Sequence, residues 1–161
     1  MSQRNLFVNL AEIFSSIQGE GLFVGCRQVF VRLAGCNLSC QYCDTRESLG
    51  VPATARVESG PGNRDFHTLP NPVTDFVLRD AVANLCRSPH HSISLTGGEP
   101  LLQPQAVSIL SPLRAQGVLL YLETNGTLPA ELRQVISDID IVSMDIKLPS
   151  ELAGRNFWRE H

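Results

Sequence analysis

Residues 28–45 read QVFVRLAGCNLSCQYCDT. The first six are a β-branched apolar run and predict a strand. The strand empties into GCNLSCQYCDT, residues 35–45. That stretch holds three of the chain's five cysteines, Cys36, Cys40 and Cys43, at the spacing C-x3-C-x2-C. A structural zinc site takes four ligands, usually as two short pairs. Its fourth ligand here would have to be Cys26, Cys86 or a histidine, and none stands at zinc-finger spacing. A four-iron cluster normally takes four thiolates, so three would leave one iron open to a substrate or cosubstrate. Cys86 falls on the apolar side of a predicted helix and reads as core.

Outward from this stretch the chain alternates. Thr74 is placed to cap a helix, with Asp75 in its first turn and Phe76, Leu78, Ala81, Val82 and Leu85 as its apolar stripe. SISL (residues 92–95) predicts a short strand. Residues 104–116 predict a helix ended by Gly117, with Pro112 a kink or break. VLLYL (residues 118–122) predicts a strand, residues 129–137 a helix and residues 139–145 a strand. This β-α-β-α-β order implies parallel pairing with right-handed crossovers, an α/β layer or open barrel. Residues 46–72 are rich in Pro, Gly and Arg. They read as a long excursion with a short hairpin near residues 55–58. Residues 154–161 read as the start of a helix. Four parallel strands make an incomplete barrel, so the expectation is one domain over residues 1–161 that lacks a C-terminal part.

Bulk composition bounds the function. At 161 residues, 43% hydrophobic and 18% charged, the chain is long enough and apolar enough for a single folded domain. A net charge of −3 gives no basic footprint for nucleic acid. No apolar run reaches membrane-spanning length, and the N-terminus lacks a secretory plan. Five cysteines, an odd number, argue against a disulfide framework and for a reducing, cytoplasmic setting.

Four unusual loops follow the four predicted strands. They are GCNLSCQYCDT, TGGEP (residues 96–100), ETNGT (residues 123–127) and Asp145-Ile146-Lys147. In parallel α/β sheets such loops converge on one face, where ligands bind. The glycines of GGEP let backbone approach a ligand, and Glu99 or a carbonyl could accept from an ammonium.

C-x3-C-x2-C after a first strand, followed by GGEP, resembles the radical S-adenosylmethionine (SAM) superfamily. EIFSSIQGEG (residues 12–21) upstream of VFVRLAGCNLSCQYCDT narrows the likeness to the 7-carboxy-7-deazaguanine synthase family, from about residue 11 to the end. The resemblance implies a partial (β/α) barrel with mainly parallel strands, residues 46–72 being a variable insertion. It implies a [4Fe-4S] cluster on Cys36, Cys40 and Cys43, with SAM on the open iron. Tyr42, Cys43, Asp44, Gly98, Ser143, Met144 and Asp145 would border SAM. Ile17, Gln18 and Gly19 would touch the substrate, largely through backbone. Arg32 would meet its carboxylate, and Thr96 would contact it too. Thr45 would reach a Mg²⁺ or serve as a turn residue. Glu123, Asn125 and Lys147 lie on the same rim without an assigned role.

The implied reaction contracts 6-carboxy-5,6,7,8-tetrahydropterin to 7-carboxy-7-deazaguanine with loss of ammonia, in 7-deazapurine (queuosine) biosynthesis. It is initiated by a 5′-deoxyadenosyl radical. A homodimer reduced by an electron donor such as a flavodoxin is implied as well. Two other readings stay open on the residues alone. One is a radical SAM activating enzyme acting on a partner protein. The other is a non-catalytic, zinc-stapled binding module.

Overall fold

A computed structural model describes residues 6–161. The strands are β1 (Phe7–Val8), β2 (Leu10–Ile17), β3 (Arg27–Leu33), β4 (Thr54–Glu58), β5 (Phe66–Pro70), β6 (Val73–Thr74), β7 (Ser92–Gly97), β8 (Leu119–Thr124) and β9 (Ile141–Met144). The helices are α1 (Asp75–Leu85), α2 (Gln105–Leu110) and α3 (Pro129–Val135). Seven strands form one sheet in the order β5-β4-β2-β3-β7-β8-β9, and β1 pairs with β6 beside it. The sheet is open. Strands β3, β7, β8 and β9 run parallel, as the β-α-β alternation predicts.

The other half of the sheet was less legible. Leu10–Ile17 was assigned no element, yet β2 lies antiparallel to β3 along its whole length. Its sequence LAEIFSSI spaces apolar residues as a helix would, at 10, 13, 14 and 17. A register shift between Leu10 and Glu12 explains this. The bulge changes the parity, so both Leu10 and Ile13 face the core from one strand. Residues 46–72 are not merely an excursion. They supply β4, parallel to β2, and β5, antiparallel to β4, and so extend the sheet edge.

Alternation along the strands gives the sheet two unlike faces. Val29, Val31 and Leu33 of β3, Ile93 and Leu95 of β7, and Leu120 and Leu122 of β8 enter the apolar core. There they meet Leu78, Val82 and Leu85 of α1 and Val107 and Leu110 of α2. The intervening residues, Phe30, Arg32, Thr96, Tyr121 and Glu123, line a cavity on the opposite face. Cross-strand register stacks them in rows, Phe14–Phe30–Ser94–Tyr121 and Glu12–Arg32–Thr96.

Helix signals mostly hold. Thr74 Oγ1 accepts from Val77 N at 3.3 Å, the expected cap. Phe76, placed in the α1 stripe, is instead 66% exposed. At 3.6 residues per turn it lies roughly 200° from Leu78, on the far side of the helix. Pro112 ends α2, since residues 111–116 tighten into a 3₁₀ segment, and Gly117 follows in the left-handed region at φ 84°. Residues 154–161 form turns, not a helix. Cys86 is partly buried against the core, and burial pushes its thiol up to about 11. No helix of the described residues is long and apolar enough to cross a membrane.

Asp140, just before β9, accepts from Arg114 and from Leu120 N, joining the end of the α2 segment to β8. The Arg114 hydrogen bond holds the Asp140 carboxyl below its ordinary value of 3.8. A depressed carboxyl pKa stabilises the fold above the ordinary value and loses that contribution as pH falls. D140N should be less stable than the parent at neutral pH, with the gap closing between about pH 5 and about pH 2. Thermal unfolding across that range tests this, and a constant gap would contradict it.

Candidate active site

The loops after β3, β7, β8 and β9 meet around one cavity of about 720 Å³. Cys36, Cys40 and Cys43 all line it, and none is in a disulfide. Burial pushes the Cys36 thiol up, opposed by the Leu38 N–H at 3.4 Å from its Sγ; Glu99, Cys40 and Cys43 raise it further. Three thiols that repel one another as anions are a donor set that a cationic metal group relieves. No three His, Cys, Asp or Glu side chains among the described residues converge to hold a single metal ion. A four-iron cage carries its thiolates on separate irons, so three cysteines that line one cavity without converging on a single point suit it. The fourth zinc ligands considered above lie elsewhere. Cys86 and His90 border a smaller cavity of about 250 Å³, and Cys26 lines neither cavity. His90 is satisfied by Ser15 Oγ at 2.8 Å and the Ser88 carbonyl at 2.7 Å.

The GGEP loop is built differently from expectation. A Cβ on Gly97 would come within 2.6 Å of Leu33 N, and one on Gly98 would overlap the backbone of Gly35. The glycines therefore let the β7 loop press against the end of β3 and the cysteine loop, in addition to any ligand contact by Gly98, which lines the cavity. Glu99 is fully buried and does not line the cavity. Its carboxylate accepts from Leu101 N (3.0 Å), Thr124 Oγ1 (2.8 Å) and Asn125 N (2.8 Å). It is a fastening between loops and is not free to receive an ammonium.

The residues assigned to the substrate share this cavity. Ile17, Gln18, Gly19, Arg32 and Thr96 all line the cavity. The backbone route expected for Gln18 is occupied. Its N–H donates to Cys26 O and its C=O accepts from Gly25 N. Its side chain donates to Gln28 Oε1 at 3.0 Å and Glu123 Oε1 at 2.8 Å. Gln18 thereby orients Glu123, which also accepts from Ser94 Oγ at 3.1 Å. The Arg32 Nε donates to Glu12 Oε1 at 3.0 Å. Its two terminal nitrogens have no protein partner among the described residues.

Tyr42, Asp44, Thr45, Ser143 and Asp145 complete the rim, but Met144 does not line it. The reason is strand alternation: Ser143 and Asp145 face the cavity and Met144 points the other way, against Gly126. Thr45 makes no side-chain capping bond to the 3₁₀ turn that follows, which leaves its hydroxyl available. Lys147, the only lysine, was given no role by sequence. It lines the cavity and donates to Asp145 Oδ2 (2.9 Å) and Tyr42 OH (3.2 Å). Burial opposes its charge, yet those two partners outweigh that and hold its pKa above the ordinary value.

Two variants test this construction. G98A should cost about 3 kcal/mol or more by denaturant unfolding, because its methyl meets backbone. Gly117, left-handed at φ 84° but with open space at its Cβ, should lose only about 1 kcal/mol as Ala. Burial raises the Glu99 carboxyl above its ordinary 4.5, against hydrogen bonds from Asn125, Leu101 and Thr124. A raised carboxyl pKa favours the fold below the ordinary value and loses that contribution as pH rises through the raised one. E99Q removes this dependence and leaves one donor facing an amide NH₂, at roughly 1–3 kcal/mol. The parent should therefore lose stability relative to E99Q as pH rises from 4.5, and parallel pH curves would refute it.

Comparison with known proteins agrees with this geometry. The Radical SAM superfamily matches residues 30–160. A 7-carboxy-7-deazaguanine synthase of Geobacter sulfurreducens is 46% identical over 94% of this chain and 62% of its own length. One from Methanothermobacter thermautotrophicus is 44% identical over 86% and 49%, and one from Thermococcus kodakarensis is 40% identical over 94% and 63%. The chain thus spans half to just under two thirds of these curated relatives. The crystal structure of QueE from Escherichia coli shares the fold, with TM-score 0.54 at 19% identity over 91% of this chain and 73% of that one. With three cysteines lining one cavity and the superfamily matching from β3 to the last residues, the chain belongs to the radical SAM superfamily.

Proposed function

We propose that this chain carries the catalytic rim of a 7-carboxy-7-deazaguanine synthase. The reaction is the ring contraction of 6-carboxy-5,6,7,8-tetrahydropterin with loss of ammonia. One observation carries the substrate class: Arg32 faces the same cavity as the three cysteines, held at Nε by Glu12, with its terminal nitrogens unengaged among the described residues. Sequence similarity to synthases of that name supports the same reading.

When bound, a [4Fe-4S] cluster with SAM supplies a 5′-deoxyadenosyl radical. The chain's own residues do the rest by placement. Cys36, Cys40 and Cys43 hold the cluster at one end of the cavity. Arg32 receives the substrate carboxylate in a bidentate fork, and Glu12 fixes the plane of that fork. Thr96, next to Arg32 in register, together with Ile17 and Gly19, borders the flat pterin. Tyr42, Asp44, Gly98, Ser143 and Asp145 surround SAM. The Thr45 hydroxyl would be an oxygen ligand for a bound Mg²⁺, which would supply charge neutralisation beside the substrate. Phe14 and Phe30, stacked with centroids 5.2 Å apart, give the substrate wall an apolar floor that excludes water. The working assembly is a cytoplasmic homodimer reduced by a small electron-transfer protein of the flavodoxin type.

Oxygen-free incubation of the protein with SAM, reductant, Mg²⁺ and the carboxy-tetrahydropterin should yield 7-carboxy-7-deazaguanine. Deoxyadenosine released with no deazapurine would overturn the substrate assignment. R32A should raise KM about ten- to a hundredfold, from losing a charge-assisted bond of about 1.5–3 kcal/mol, with iron content unchanged. Loss of iron in R32A would show a structural role instead.

A further inference from the structure

We propose that Asn37, Asn125 and Thr127 form a clamp that positions the cysteine loop, with Asn37 acting as a positioning residue for Cys36. The inference rests on the cluster reading above.

Asn125 Nδ2 donates to Asn37 Oδ1 at 2.9 Å. Asn37 Nδ2 donates to Thr127 Oγ1 at 2.8 Å. Thr127 Oγ1 in turn donates to Asn125 Oδ1 at 2.7 Å. The ring closes with each donor matched to an acceptor. Asn125 and Thr127 are only 6% and 7% exposed, so an unmatched atom here would be costly. A simple Asn-Gly turn explains part of this, since Thr127 N also donates to Asn125 Oδ1 at 3.0 Å. It does not explain the two bonds to Asn37, which the turn does not need.

The clamp joins loops that the sheet does not make neighbours. Asn37 follows β3 and Asn125 follows β8, with β7 between them. The intervening loop is Gly97-Gly98, which puts no side chain in the way. Asn125 is itself fixed, because its N–H donates to the buried Glu99. Asn37 stands directly after Cys36, and the next N–H, that of Leu38, donates to the Cys36 Sγ. Fixing the Asn37 amide thus fixes the backbone that aims both the thiolate and the N–H it accepts. Residues that orient a metal ligand in this way govern how long the metal stays bound.

The test uses the full chain, purified and reconstituted without oxygen. T127V, N37A, the double variant and T127S are compared by the rate of iron release to a chelator. The electron paramagnetic resonance spectrum of the reduced cluster is recorded with and without SAM. T127V and N37A should release iron roughly tenfold faster, the lower range for removing a partner of a metal ligand, and should alter the spectrum. T127S, which keeps the hydroxyl, should behave as the parent. The double variant should release iron no faster than the faster single, since one shared clamp is already broken. Parent-like rates and spectra in both singles would overturn the proposal, as would single effects that multiply in the double. A parent chain that takes up no iron and sulfide would instead defeat the cluster reading itself, and the clamp with it.

Discussion

The buried carboxylate of Glu99 accepts three hydrogen bonds from the β7 and β8 loops, and the geometry of the rim follows from it. Such a group tolerates burial because both of its oxygens find donors, two on Oε1 and one on Oε2. Those donors come from segments that must reach it, so the TGGEP and ETNGT loops are drawn into contact. The glycine pair before Glu99 does the same on the other side, pressing against Leu33 and Gly35. The cysteine loop, the glycine turn and the Asn125 turn are thereby locked into one unit. A metal centre and its cosubstrate need that rigidity, since the loops themselves have little apolar burial to hold them.

Beneath this rim lies a second constraint, the strict alternation of β3, β7 and β8. One set of side chains faces α1 and α2 and supplies the apolar core. The other set is polar or aromatic and forms the cavity floor. The site is therefore the unused face of a sheet whose stability is secured on its opposite face. Arg32 and Glu123 are each held in the cavity by hydrogen-bond partners: Glu12 opposite Arg32, and Gln18 and Ser94 beside Glu123. Two other carboxylates show how context sets sign. Asp140, hydrogen-bonded to Arg114, is held in its charged form, whereas burial pushes Glu99 toward neutrality.

Much of this was legible in the order of residues. The strands of the parallel half, the α1 cap at Thr74, the break at Pro112 and the stop at Gly117 are local signals, and local physics settles them. The cysteine triplet announced itself by spacing, whereas Thr45 entered only through the family resemblance. What was not legible depended on distant partners. The bulge in β2 disguised a strand as a helical pattern. Residues 46–72 read as an excursion with a short hairpin, but that this hairpin extends the main sheet was hidden, because an edge hairpin needs no strong apolar period. Phe76 fitted a stripe by type but not by angle. Lys147 was legible as a rim residue but not in its role, because Asp145 and Lys147 meet Tyr42 only when β9 packs beyond β7 and β8 from β3.

By itself, the sequence determined the chemistry: three thiols behind a strand, glycines after the next, and an arginine within reach of both. Those facts are set by residue type and spacing, which folding does not alter. Only the tertiary structure decided which polar groups are available to a ligand and which are already engaged. Glu99 and the Gln18 backbone are engaged in fastening loops, while the Arg32 terminal nitrogens and the Thr45 hydroxyl have no partner among the described residues. The reason is that hydrogen-bond satisfaction belongs to pairs of groups, and the partner in each pair comes from another part of the chain.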